Sequence, residues 1–451
     1  MNLQKITMYS ACVALALSGC ATFSQDGGLN DVQKTTTQHI KQEVVWQKTA
    51  EAQKQATVRV NSLLSDCIDA DDAVQIALLN NKGLQASLFE LGISEADVVQ
   101  AGRLPNPKFS MFYARNSGDY KIEQALTFNI FSLVTMPKML AIERQNFEKT
   151  KQNVALEVLK LAYQTRMAYF NAVAANQQLH YSEQVKESAE ASAELAQRMV
   201  KAGNWSTLEQ AHEQSYYAQS MQEYQLARQQ KVSKIEVLSR LLGVSPDDIQ
   251  LQDRLPDLPQ NLAELKMVEK TAFEQRLDLQ MARSDTDTLA KQLGLTKTTR
   301  LINVLEFGPA RVLEGRRGDA YKKGVDMSFE LPLFDWGGAK VAHAEATYMQ
   351  AVNRTAQVAI NAQSEIREAH GQYLSSYEIA KHFRDEIVPL SKKISNENQL
   401  RYNGMLISPF TLFADARAQV ANVNAYIAKL NAFWLAETAL NMALIGSLEG
   451  K

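Results

Sequence analysis

The sequence predicts a mainly α-helical protein that carries a few transmembrane β-strands and consists of two tandem repeats. Glycine and proline are scarce, with 20 and 10 among 451 residues, and this composition favours long helices over many short elements. Between Pro137 and Gly203 the chain contains neither residue, so one helix can run through the whole stretch. Two pairs of segments with alternating polarity, one pair in each half of the chain, supply the predicted strands.

The N-terminus has the features of a secretory signal peptide over residues 1–19. Lys5 gives a positive start, and the apolar run Met8–Leu17 is about half as long as a membrane-spanning helix must be. The run leads into the sequence LSGC, which ends at Cys20 and resembles a bacterial lipobox, so we expect cleavage before Cys20 and a lipidated N-terminal segment over residues 20–69. Residue 21 is Ala rather than Asp, which favours delivery to the outer membrane. The alternative is an ordinary signal peptide with an incidental cysteine.

Two long repeats organise the rest of the chain. The segment LTFNI at Leu126–Ile130 matches MSFEL at Met327–Leu331, 201 positions later, and LLG at Leu241–Gly243 matches LIG at Leu444–Gly446, 203 positions later. Each repeat is expected to contain a first helix, a β-hairpin, a very long helix, a tight turn and another long helix. The first helices are expected at about 70–102 and 264–298. The predicted divisions are a first repeat at 70–243, a proline-containing linker at 244–263 and a second repeat at 264–451.

Each predicted hairpin contains two strands with a period of two. The first hairpin covers about 107–131 and the second about 303–334, each with a short polar loop in the middle. Strands of about nine to eleven residues have the length that a tilted transmembrane β-strand requires. A soluble hairpin on a globular domain is the alternative for each pair.

The long helices are expected to pack as coiled coils. Stretches of roughly 60 residues at about 1.5 Å per residue would make rods of about 90–100 Å, which need packing partners along their length. The first is expected between Pro137 and Gly203, and the second, also uninterrupted, between Gly338 and Gly404. Apolar residues at alternating steps of three and four form a seam in the last helix. These residues are Phe413, Ala416, Val420, Val423, Ile427, Leu430 and Trp434.

Four strands per chain imply an oligomer if the strands cross a membrane. A single-chain barrel needs at least about eight strands, and unpaired strand edges are not tolerated in lipid. Copies of the chain would therefore share one barrel around a symmetry axis, and a trimer would supply twelve strands.

Five segments, in this order and at this repeat spacing, resemble the TolC/OprM outer-membrane factor family. The most specific is LPLFDWGG at 331–338, which is similar to the family's junction between strand and helix. The resemblance covers essentially the whole mature chain and implies a TolC-like trimeric β-barrel with four strands per protomer, continued by a long α-helical coiled-coil barrel. The five segments are Asp71–Asn81, Arg103–Pro107, Arg276–Leu279, Leu331–Gly338 and Arg401–Leu412.

The predicted site residues lie in the strand-to-helix junction and in two helix turns, which are the short connections between consecutive long helices. Pro332, Gly337 and Gly338 are expected to end the strand and turn the chain into the helix. The equivalent junction in the first repeat is expected at Pro137. In the turns at 201–206 and 403–408, glycine is expected to supply a left-handed residue, and Ser206 and Ser408 are expected to be N-caps. The resemblance implies adaptor contacts at Gly203, Trp205, Gly404, Leu406 and Ser408.

The resemblance also implies a ring of lumen-facing aspartates above the second turn. In this chain the equivalent position is nearer Ala414, and Asp415 lies one place away, so Asp415 is a candidate gate residue. The alternative is a surface ion pair of Asp415 with Arg417 or with another helix.

The implied function is a passive outer-membrane channel of a tripartite efflux or type I export system. The resemblance implies a homotrimer that works with a periplasmic adaptor and an inner-membrane pump, of which the RND type is favoured. The stretch LPNPK at 104–108 resembles the heavy-metal branch typified by CzcC and CusC, and the exported substrate (drug, metal or other) stays open. A non-pore periplasmic coiled-coil lipoprotein is the alternative. With 50 acidic and 48 basic residues the chain lacks the charge of a nucleic-acid binder. No catalytic, cofactor or metal motif was found, so we expect no enzyme activity.

Overall fold

The computed structural model describes residues 22–262, 273, 276–301, 304–316 and 318–447. The predicted signal peptide and Cys20 lie outside these residues, as do the first part of the predicted helix at 264–298 and the first residue of the predicted strand at 303. Among the described residues, no helix combines the length and the apolar character that crossing a membrane demands.

The elements follow the predicted order in both repeats. Helices dominate, and each repeat contains one hairpin of two strands. The helices are α1 (Leu29–Thr36), α2 (Ala50–Leu63), α3 (Ala70–Asn80), α4 (Lys82–Ala101), α5 (Ile130–Lys201), α6 (Thr207–Leu242), α7 (Leu277–Thr299), α8 (Gly338–His382), α9 (Val388–Asn403) and α10 (Pro409–Ala443). The strands are β1 (Lys108–Asn116), β2 (Asp119–Asn129), β3 (Leu305–Gly315) and β4 (Lys322–Phe329).

The chain divides into two compact units. One unit contains the described residues up to Val32 together with Leu88–Val154 and Leu279–Ala359, and it includes all four strands. The other contains Gln33–Ser87, Ala155–Asp278 and the described residues from Ile360 onward, and it includes both helix turns. The core of this second unit has a cluster of aromatic rings, in which the fully buried Phe433 contacts Tyr373 and Tyr377, with centroid distances of 5.6 and 5.8 Å.

The predicted single helix over 70–102 is divided at Asn81. This residue has an extended backbone, with φ −65° and ψ 119°, so α3 ends before it and α4 begins after it. Its side-chain oxygen accepts a hydrogen bond from the backbone N–H of Leu84 at 3.0 Å, and its amide donates to the carbonyl of Leu241 at 2.9 Å. Asn80 donates to the carbonyls of Leu242 and Gly243. The break therefore lets two asparagines satisfy the free carbonyls at the end of α6.

Arg276 has the equivalent task in the second repeat. Its guanidinium donates to the carbonyl of Ala443 at 2.9 Å, at the end of α10, and the backbone N–H of Leu277 donates to the carbonyl of Ile445 at 2.8 Å. Arg276 is 1% exposed and forms ion pairs with Asp278 and Glu365 at 2.6 and 2.7 Å. The start of each repeat thus secures the C-terminal end of that repeat's last helix.

The first long helix begins earlier than predicted. Helix α5 has 72 residues and starts directly after β2, so Pro137 lies inside it and is not the junction. The junction is Asn129, whose side chain accepts a hydrogen bond from the backbone N–H of Ser132 at 2.8 Å.

The second long helix is interrupted, which corrects the prediction of one continuous helix over 338–404. A π-helical turn at Phe383–Ile387 separates α8 from α9, and Pro389 stands at the start of α9. Proline lacks the N–H that an α-helix needs and its ring collides with the carbonyl four residues earlier. A widened turn just before the proline relieves this conflict.

Candidate functional site

The four strands form one antiparallel sheet in the order β1-β2-β3-β4. The two hairpins meet through β2 and β3, so the central pairing joins the first repeat to the second. Strands β1 and β4 are the edges, and in the described part of the chain each pairs with one neighbour only. The sheet therefore offers two free hydrogen-bonding edges.

One face of the sheet is apolar. Side chains of directly paired residues share a face and alternate along each strand, so the register assigns every strand residue to a side. Most of the large apolar residues on this face are exposed, as Phe109 at 64% and Val325 at 69% illustrate. The apolar face consists of Phe109, Met111, Tyr113, Arg115, Tyr120, Ile122, Gln124, Leu126, Phe128, Leu305, Phe307, Pro309, Arg311, Leu313, Lys323, Val325, Met327 and Phe329.

The opposite face is polar and holds every acidic residue of the described strands. Its three lysines each lie near a carboxylate: Lys108 is 3.6 Å from Glu306, Lys121 is 2.8 Å from Glu123, and Lys322 is 3.5 Å from Glu314. The polar face consists of Lys108, Ser110, Phe112, Ala114, Asn116, Asp119, Lys121, Glu123, Ala125, Thr127, Asn129, Glu306, Gly308, Ala310, Val312, Glu314, Lys322, Gly324, Asp326 and Ser328.

The separation of apolar and charged residues onto opposite faces is suited to a sheet that has lipid on one side and water on the other. An exposed apolar surface of this extent marks a membrane or protein contact, and strands that alternate apolar and polar residues are typical of a wall with lipid on one side. The charged face would then border an aqueous interior.

At Gly308 in β3 the backbone of β2 leaves no room for a side chain. A Cβ atom at this position would stand 1.9 Å from the carbonyl oxygen of Leu126, so only glycine fits. Pro309 follows in the same strand, although proline is unusual in a central strand because it donates no hydrogen bond. No sequence signal singled out this contact.

The strand-to-helix junction depends mainly on Gly337. Strand β4 ends at Phe329, five residues before the predicted end at Phe334, and α8 begins at Gly338. Gly337 has φ +72°, and a Cβ there would stand 2.6 Å from the carbonyl oxygen of Arg300. Its backbone N–H donates to the side chain of Asp335 at 2.8 Å. Gly338 has open space around it, and Pro332 lies in the irregular stretch before the turn.

The first helix turn has the predicted backbone. Gly203 has φ +75°, and Ser206 caps α6 by accepting a hydrogen bond from the backbone N–H of Glu209, whose side chain in turn accepts from the backbone of Ser206. Trp205, for which the resemblance implies an adaptor contact, is half-buried.

The second helix turn differs from the prediction at Gly404. Its φ is −83°, and the left-handed residue is Met405 with φ +58°. Met405 and Leu406 are 93% and 76% exposed, so two large apolar side chains project from this turn. Ser408 caps α10 by accepting a hydrogen bond from the backbone N–H of Thr411 at 3.2 Å.

Asp415 and Arg417 have different partners, which corrects the alternative that they pair with each other. Asp415 accepts a hydrogen bond from the side chain of Asn398, and Arg417 forms an ion pair with Glu213. Glu213 is fully buried and also accepts from Ser192 at 2.7 Å. The polar cluster Ser192–Glu213–Arg417 thereby links α5, α6 and α10, and no sequence pattern pointed to it.

Tyr216 completes this cluster. The Arg417 guanidinium lies 4.0 Å from the centre of its ring. Burial raises the pKa of the Tyr216 phenol, and the positive charge of Arg417 opposes that shift. The ring is therefore neutral at physiological pH and presents its face to the cation.

The described residues contain no group of three or more His, Cys, Asp or Glu side chains that could hold a metal ion. Cys67 is a free and exposed thiol.

A family model described as "Outer membrane efflux protein" matches residues 73–244, which is almost the whole first repeat. No curated protein matches the chain by sequence. Several solved structures share its fold. A membrane protein from Pseudomonas aeruginosa has TM-score 0.71 and 19% identity, covering 85% of this chain and 95% of that one.

Two further solved structures are outer-membrane proteins. The CmeC outer membrane channel of Campylobacter jejuni has TM-score 0.65 and 17% identity, covering 87% of this chain and 85% of that one. The outer membrane protein VceC of Vibrio cholerae has TM-score 0.68 and 14% identity, covering 84% of this chain and 97% of that one. The shared fold extends over both repeats, beyond the residues that the family model matches.

Proposed function

We propose that three copies of this chain form one channel for the passive outward passage of solutes, because residues 73–244 match the outer membrane efflux protein family model. Its location is the outer membrane, and its role is that of a channel in efflux.

The observation that carries the proposal is the two-faced sheet with two free edges. A four-stranded sheet with one face in lipid leaves the outer edges of β1 and β4 unpaired, and lipid supplies no hydrogen bonds to satisfy them. Pairing β1 of one copy with β4 of the next removes every edge when the ring closes. Three copies give twelve strands, with the charged face lining the interior.

The helix turns are proposed to contact a periplasmic adaptor, which joins the channel to an inner-membrane pump of the RND type. The exposed Leu406 is suited to an apolar contact, and Met405 beside it enlarges the apolar surface. Gly203, Gly404 and Ser408 shape the turns, and Trp205 supports the first turn from its half-buried position. The pump supplies the energy and selects the cargo.

Asp415 is proposed as a gate residue, held in place by Asn398. The test is Asp415→Ala, compared with Asp385→Ala, which removes an exposed carboxylate that pairs with Arg384. We expect a higher resting conductance in Asp415→Ala alone. Equal resting conductance in both variants would remove Asp415 from the gate.

Cysteine cross-linking tests the shared ring of strands. In a Cys67→Ser background, Met111→Cys on β1 and Val325→Cys on β4 are combined and oxidised in membranes. We expect covalent species of two and three chains and none larger. The two single-cysteine variants are the controls. If the double variant gives only the monomer after oxidation, the proposal is contradicted.

Conductance in a planar bilayer tests the passage itself. The purified chain should form discrete, long-lived conductance steps, whereas a structural lipoprotein without a pore would give none. Asp326→Lys on the polar face should shift the reversal potential towards anions. An unchanged reversal potential would show that this face does not line the conducting path.

A further inference from the structure

Three cations interrupt the apolar face of the sheet. Arg115, Arg311 and Lys323 are exposed and share this face with no acidic residue of the described strands. The contrast with the polar face is complete, because each of its three lysines lies near a carboxylate. The cations of the apolar face have no carboxylate partner among the described residues.

Arg311 and Lys323 are directly opposite each other in the β3–β4 register. Like charges at such positions repel and destabilise a strand pair. Arg311 uses one N–H to donate to Gln124 at 2.6 Å, and its guanidinium lies 4.9 Å from the centre of the Tyr321 ring. The remaining guanidinium donors and the ammonium group of Lys323 are available to an anion between them.

The position of the pair indicates where that anion lies. Lys323 is the second residue of β4, directly after the hairpin loop, so the pair stands towards the loop end of the sheet. All tyrosines of this face and the adjoining loop, Tyr113, Tyr120 and Tyr321, lie at the same end. Tyrosine is enriched at the level of lipid headgroups, where its ring is apolar and its hydroxyl is hydrated.

The helix end of the apolar face has a different composition. Its aromatic residues are all phenylalanines, and no charged residue shares this part of the face among the described residues. Lysine and arginine side chains near a membrane boundary extend to the headgroups. The phenylalanines are Phe109, Phe128, Phe307 and Phe329.

We propose that Arg311 and Lys323 form a binding site for the phosphate of a lipid headgroup in the membrane leaflet at the loop end. This proposal rests on the sheet being transmembrane, as the proposed function requires. A phosphate that accepts hydrogen bonds from both cations removes their mutual repulsion, and the acyl chains of the same lipid cover the apolar rows beside them. Arg115, which lies 5.4 Å from the centre of the Tyr120 ring, adds a third positive charge at this end.

The test is lipid retention by the purified full-length protein in native mass spectrometry. Dioleoylphosphatidylglycerol is the probe, dioleoylglycerol is the matched lipid without phosphate, and inorganic phosphate is the matched anion without acyl chains. We expect the wild type to retain the phospholipid alone, and the double variant Arg311→Gln/Lys323→Gln to retain at least fivefold less. Equal retention of dioleoylglycerol, or equal binding of inorganic phosphate, would overturn the site.

Two variants separate a local site from general charge and from misfolding. Lys121→Gln/Lys322→Gln removes the same charge from the polar face and should retain lipid like the wild type; an equal loss would overturn the proposal. The exchange Arg311→Lys/Lys323→Arg keeps both charges and should also retain lipid. If it loses lipid as the glutamine variant does, charge at this position is not what holds the phosphate.

Conductance in a planar bilayer distinguishes this proposal from the proposed function. A wild type that conducts, with equal lipid retention in the glutamine variant, contradicts the lipid site alone. A wild type that never conducts, with lipid retention lost in the glutamine variant, contradicts the channel and leaves the lipid site supported.

Discussion

Arg276 shows how one buried charge can secure a long helix. It contacts two carbonyls and two carboxylates, and its partners Asp278 and Glu365 are less buried than the guanidinium itself. An arginine suits this position because its planar group donates several hydrogen bonds in fixed directions. The free carbonyls at the end of α10 are thereby satisfied without water.

Arg276→Ala should destabilise the chain by about 3 kcal/mol, because both carboxylates and the carbonyl of Ala443 lose their contact with the guanidinium. The measurement is the thermal unfolding midpoint in detergent by circular dichroism. The control is Arg254→Ala, which breaks an exposed ion pair with Asp257 and should cost well under 1 kcal/mol. Equal midpoints for the two variants would contradict the role given to Arg276.

Gly308→Ala should disrupt the central strand pair, because its Cβ would collide with the backbone of Leu126. A cost of about 1–3 kcal/mol is expected for such overpacking, and it should appear as less protein in the outer-membrane fraction. Gly324→Ala is the control, since it lies on the same face of the same sheet with no heavy atom within 4 Å of the new Cβ. A similar yield for both variants would mean that the close approach is tolerated.

The elements were largely predictable because their signals are local and repeated. The period of two in β1 to β4 and the absence of glycine and proline between Pro137 and Gly203 can both be recognised without knowledge of the tertiary structure. The split at Asn81 and the π-helical turn before Pro389 arise from single residues that satisfy or break particular backbone groups. A periodic pattern averages over such residues and misses them.

The site was less predictable because its decisive contacts join distant parts of the chain. Glu213 and Arg417 are 204 positions apart, and nothing near either residue indicates the other. The prediction that glycine is the left-handed residue of the second turn was wrong for a local reason. Gly404 has a helical φ, and Met405 takes the left-handed conformation. Sequence equivalence of the two turns therefore did not extend to their backbone.

The two turns should respond differently to the same substitution. Gly203→Ala places a Cβ at φ +75° and should destabilise the first turn by about 1 kcal/mol or more. Gly404→Ala should be nearly neutral, since its φ is −83° and the nearest atoms to a new Cβ are 3.6 Å away. Hydrogen exchange of the amides in each turn measures the effect. Comparable acceleration in both variants would contradict the backbone assigned here.

At the scale of the whole molecule, the register of one sheet decides which residues meet lipid and which meet water. The two hairpins come from repeats about 200 positions apart, yet β2 and β3 pair so that apolar residues from all four strands fall on one face. A slip of one residue in that pairing would place charged and apolar residues on the same side. The duplication therefore has to preserve strand register as well as strand number.

Neighbouring residues of β4 offer the sharpest test of this division. Met327→Arg places a charge on the apolar face, and Ser328→Arg places the same charge on the polar face one residue later. At mid-membrane depth an arginine on the lipid side costs about 2–4 kcal/mol, whereas on the water side it can remain hydrated. We therefore expect Met327→Arg to be depleted from the outer-membrane fraction and Ser328→Arg to assemble normally with altered ion selectivity. The reverse pattern would assign the lipid to the charged face, which would leave five carboxylates in hydrocarbon.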